Sequence, residues 1–143
     1  MGAGTVGVCV LTWFAWLSWF DIRERRLPNW LTVPGALAIL TWATATGRGA
    51  PALAGAVLLF AIYLAMHLIA PAAMGAGDVK LAIGIGALTG AFGVDVWSIA
   101  AVTAPLLTAG MAVIIRIKSA ERTVPHGPSM CAAAAAATAL VLL

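Results

Sequence analysis

The chain has 143 residues, 63% hydrophobic and 9% charged, with a net charge of +3 and a mean hydropathy of +1.05. An ordinary soluble domain carries about 25% charged residues, and a small one cannot bury this much apolar surface, so a water-soluble enzyme is excluded. So small a net charge gives no basis for nucleic-acid binding, and the chain reads as an all-α integral membrane protein.

A membrane-spanning helix needs about 20 apolar residues, and six segments are candidates in chain order. The first, 3–20, lacks a basic stretch before it and has one after it. That pattern is an anchor with its N-terminus outside, not a signal peptide. Trp13, Trp16 and Trp19 recur toward its far end, and Trp30 opens the second segment, 30–46. With Trp42 and Trp97 they read as an interfacial aromatic belt combined with packing. The third segment, 51–71, carries His67 in mid-span. The fourth, 79–93, is short and glycine-rich, and Gly86 and Gly90 suit close helix approach. Segments 96–115 and 129–143 follow, the last containing the alanine run Ala132 to Ala137. Cys9 and Cys131 stand alone in apolar stretches and read as small core residues.

Charges gather in islands between these segments: Asp21 to Arg26, Arg48, Asp78 with Lys80, Asp95, and Arg116 to Arg122. With the N-terminus outside, Arg23, Arg25, Arg26, Lys80, Arg116, Lys118 and Arg122 fall on the cytoplasmic side, and Arg48 alone falls outside. The expected fold is thus a polytopic membrane helix bundle of about six transmembrane helices, one membrane-embedded domain over 1–143.

This topology puts Asp21 and Asp78 at the same membrane boundary, although they are far apart in the chain. Two carboxylates brought close in a partly dry site cannot both ionise cheaply and share a proton. The ionised member can deprotonate a water while the protonated member polarises a carbonyl. Such a pair needs no metal or other cofactor, and His67 and His126 stand alone with no second ligand at helical spacing. Two plainer readings compete: Asp78 as a helix cap, and Asp21 as a loop residue paired with Arg25 or Arg26. Asp78 lies at a helix N-terminus and Asp21 at a C-terminus, so the macrodipole assigns the shared proton to Asp21.

At these residues the chain resembles the prepilin peptidases, or type IV leader peptidases. Asp21-Ile22-Arg23-Glu24-Arg25-Arg26-Leu27-Pro28-Asn29-Trp30-Leu31-Thr32 is similar to their first signature, and Gly75-Ala76-Gly77-Asp78-Val79-Lys80 to their GxGD signature. Val124-Pro125-His126-Gly127-Pro128-Ser129 resembles a degenerate Pro-x-Gly-Pro stretch before the final span. The resemblance covers roughly 10–140. It implies an aspartic endopeptidase of the inner membrane, with Asp21 and Asp78 as the catalytic dyad on the cytoplasmic side. Its substrates would be prepilins or pseudopilins, cut between a basic leader and the hydrophobic helix.

Gly75 and Gly77 would let a substrate backbone approach, with Pro28, Asn29 and Lys80 supporting the site. Lys80 either orients Asp78 or reaches lipid headgroups. Longer relatives carry an additional region with paired CxxC motifs, associated with N-methylation; this chain has neither, which argues against methyltransferase activity. Two rivals to the peptidase remain: a small transporter or proton-relay subunit, and a non-catalytic membrane scaffold. The partners expected are pilin-like precursors and lipid, with oligomeric state left open.

Overall fold

The computed structural model describes residues 2–118 and 124–142. The described residues form six helices: α1 (Ala3–Glu24), α2 (Asn29–Ala45), α3 (Gly49–Ile69), α4 (Ala76–Ala91), α5 (Val94–Lys118) and α6 (Gly127–Leu142). Each expected segment corresponds to one helix. Arg122 and Glu121 of the last charged island lie outside the described residues.

Three helices, α1, α3 and α5, are long and apolar enough to cross a membrane. The 16 residues of α4 reach only about 24 Å at 1.5 Å per residue, but this helix has little need to face lipid. It touches α2, α3, α5 and α6, and Val79, Leu81, Ala82 and every residue from Gly84 to Ala91 are buried. Its glycines make that central position possible. A Cβ on Gly90 would stand 2.6 Å from the Pro51 carbonyl oxygen, and one on Gly86 would strike the Gly55 backbone. The expected close approach at Gly86 and Gly90 is therefore present, and its partner is α3.

The outer helices bury narrow stripes. In α1 the buried residues are Phe14, Leu17 and Asp21, spaced to lie along one helix face. In α5 they are Val96, Ala100 and Ala104. Large apolar side chains on the remaining faces, including Leu11, Ile22, Leu106 and Ile114, are exposed, as helices in lipid require. Arg25 ends α1 in the left-handed conformation, φ 54°, and swings the chain into the segment leading to α2. At the opposite end, Gly47 (φ 76°) and Gly93 (φ 121°) close the α2–α3 and α4–α5 corners in conformations where glycine is unstrained.

The tryptophans divide. Trp16, Trp19 and Trp30 are exposed, as a belt demands. Trp13 is not one of them: its indole wedges between Gly35 of α2 and Gly84 of α4 and donates to the Leu31 carbonyl at 2.9 Å. It is a packing residue with its N–H satisfied. Trp97 similarly donates to the Gly55 carbonyl at 3.0 Å. Cys131 is buried as expected, whereas Cys9 is exposed on α1, because its position falls off the Phe14–Leu17–Asp21 stripe.

Candidate active site

At one end of the bundle a half-open cleft of about 550 Å³ is lined by Asp21, Glu24 to Asn29, Gly75 to Asp78, and Lys80. Asp21, Asp78, Gly75, Gly77, Lys80, Pro28 and Asn29, selected from the sequence, all line it. The helix hairpins explain the convergence. α1 and α2 meet through the 25–28 segment, α4 begins beside it, and both carboxylates arrive from helix ends rather than loop tips.

Asp78 sits in the first turn of α4, and its carboxyl meets the backbone N–H of Gly75, the residue capping that helix. The plainer reading makes Asp78 the N-cap itself; Gly75 holds that position, and Asp78, three residues on, reaches back to it in the manner of a capping box. Asp21 is 8% exposed and accepts the Gly127 backbone N–H on Oδ2 at 2.8 Å. Gly127 opens α6. Asp21 thus lies at the C-terminal end of its own helix but against the N-terminus of another. The α6 end favours negative charge there, offsetting the α1 dipole that assigned the proton to Asp21. Each carboxylate thus lies at a helix N-terminus, and the dipoles do not single out Asp21 as the protonated one. Arg25 is close enough to Asp21 to act on its charge, which is the other half of the plainer reading. One turn deeper, Ser18 of α1 meets Cys131 of α6.

The supporting residues differ from expectation in detail. Lys80 donates to Asn29 Oδ1 at 2.7 Å, fastening the start of α4 to the start of α2. A Cβ on Gly77 would come 3.1 Å from Leu27 Cβ, so this glycine packs against the 25–28 segment. One on Gly75 would find only Asp78 Oδ2, at 3.6 Å. Only Gly75 leaves open space for a substrate backbone.

The histidines are also relocated. His67 lies in the last turn of α3, not in mid-span, and its Nδ1 pairs with the Met74 carbonyl at 2.6 Å. His126 is not isolated: it contacts Tyr63 of α3 and Thr108 of α5. Neither contact had a periodic signal in the sequence; only its place within the Pro-x-Gly-Pro-like stretch singled His126 out.

Two predictions arise here. A Cβ on Gly127 would lie 2.7 Å from Asp21 Oδ2, inside contact distance. Gly127→Ala is therefore expected to displace the carboxylate and reduce turnover by up to about 10²-fold, the cost of a misplacement near 1 Å. Gly110→Ala, where a Cβ meets nothing within 4 Å, should do far less in the same turnover assay. The second concerns His126, which burial lowers from its ordinary 6.5 to about 4. The folded state holds the ring neutral, so stability falls as pH drops from 6.5 toward 4. Thermal midpoints in detergent should show a steeper acid decline for wild type than for His126→Asn.

A membrane helix bundle that gathers two carboxylates in a water-accessible cleft at one end is the class these features define. The chain belongs to the type IV leader peptidase family, whose model matches residues 8–141, and peptidase activity follows from that membership. Comparison with curated proteins and with solved structures gave no match.

Proposed function

We propose that the protein is an aspartic endopeptidase that removes the leader of prepilin or pseudopilin precursors at the cytoplasmic face of the inner membrane, with Asp21 and Asp78 as its dyad. The observation that carries this reading is that these two acids, from different helix hairpins, line one cleft. In a cleft bounded by apolar helices the pair holds one proton. The charged carboxylate takes a proton from water as it attacks the scissile carbonyl, while the protonated one donates to the carbonyl oxygen. The resulting gem-diol collapses as a proton passes to the departing amine.

All six helices span the membrane in this reading, with the N-terminus outside. The arginine and lysine distribution supports the orientation, since Arg48 is the one basic residue assigned to the outer side. A leader that ends where its hydrophobic helix begins would place its cleavage site at the depth of the cleft. Gly75, open on its cleft side, leaves room for an extended backbone beside Asp78.

The test is co-expression with candidate pilin-like precursors, reading their N-termini by mass spectrometry. Cleavage by wild type and its absence with Asp78→Asn is expected. Unchanged precursor termini for every candidate would overturn the assignment.

A further inference from the structure

The segment entering α6 joins a half-buried polar chain that the dyad mechanism does not use. His126 accepts the first hydrogen bond of α6 on its carbonyl, from the Met130 N–H at 3.0 Å, so it occupies the cap position of that helix. Its ring joins two other helices: Nε2 is 2.8 Å from the Tyr63 hydroxyl on α3, and Nδ1 is 2.5 Å from Thr108 Oγ1 on α5. Thr108 Oγ1 also lies 3.2 Å from the Ala104 carbonyl of its own helix. Burial keeps the ring neutral, so one ring nitrogen carries a proton and the other is bare, and the ring donates to one partner and accepts from the other.

We propose that His126 is a positioning residue for the dyad, tying α3 and α5 to the start of α6 so that the Gly127 N–H stays directed at the Asp21 carboxylate. The reading rests on the aspartic mechanism above. The covalent path is short: the ring is anchored on both nitrogens, and the very next N–H is the one Asp21 accepts. Asp21 needs such a partner because it rides α1, which is buried only along its Phe14–Leu17–Asp21 stripe. A carboxylate with two rotatable bonds on that helix is fixed by what it is bonded to. The degenerate motif thus has a physical role: its glycine allows the approach to Asp21, and its histidine holds the glycine in place.

The experiment uses the full chain in detergent, with a pilin-like precursor that wild type cleaves. Tyr63→Phe and Thr108→Val each remove a partner of the ring with little change in volume. Combined, they are expected to lower kcat by up to about 10²-fold and leave KM unchanged. His126→Asn, which keeps a donor and an acceptor, should retain more activity than His126→Ala. With labelled glycine, the Gly127 amide proton should move upfield in the double variant, as it should in Asp21→Ala, which removes the acceptor. Wild-type kcat together with an unmoved Gly127 resonance overturns the proposal, and so does a rise in KM alone. If Asp21→Asn and Asp78→Asn retain cleavage, the aspartic reading itself fails; the Gly127 resonance still decides whether His126 maintains the contact.

Discussion

Asp21→Asn and Asp78→Asn are each expected to reduce cleavage by roughly 10² to 10⁴-fold, the range for losing a positioned acid or base. Asparagine matches aspartate in shape and keeps an oxygen that can accept the Gly127 N–H made to Asp21, so the fold survives the change. What it cannot do is gain or lose a proton. In the proposed mechanism the two acids act as one unit, so the double variant should be hardly worse than either single one. Rates come from the time course of precursor N-termini, with elution profiles in detergent verifying that each variant is folded. A scaffold or a proton relay makes a different forecast: leader cleavage would not depend on either residue. Full cleavage by either single variant would favour those rivals.

The second large effect falls on stability. Gly86→Val and Gly90→Val place side-chain carbons where the backbone of α3 already lies. Overpacking a core typically costs about 1–3 kcal/mol, and here the obstructing atoms belong to a helix backbone that cannot rotate away. Each variant should lose at least about 3 kcal/mol, the top of that range, and yield little monodisperse protein in detergent. Gly110→Ala is the control, because a Cβ there meets nothing within 4 Å, and its yield should match wild type. Equal yields for all three would mean that α3 and α4 do not approach through these glycines.

Much of this architecture could be read before any coordinates. The apolar segments 30–46 and 79–93 differ by only a few residues from α2 (Asn29–Ala45) and α4 (Ala76–Ala91), because the charged and glycine-containing islands interrupt hydropathy where the helices stop. Alternating helix direction alone puts Asp21 and Asp78 at one end of the bundle, and the packing of α1, α2 and α4 brings them to one cleft. Contacts chosen by packing were not legible in that way. Trp13 has the same spacing as Trp16 and Trp19 but turns inward, since Gly35 and Gly84 on two other helices vacate space for its ring. The dipole argument for Asp21 considered α1 and missed α6, whose N-terminus arrives from the far end of the chain. His126 was unreadable for a related reason: Tyr63 and Thr108 lie on separate helices, and no sequence period links them.

The contrast between the two helices that carry the acids has a mechanical consequence. α4 is enclosed by four neighbours and packed against α3 glycine to backbone, so Asp78 starts the most enclosed helix among the described residues. α1 is held by a thin seam, with Trp16 and Trp19 turned outward. In the proposed mechanism, any adjustment of the gap between the carboxylates would fall to α1. Bilayer thickness and lateral pressure, acting on those outward indoles, would then enter the reaction rate.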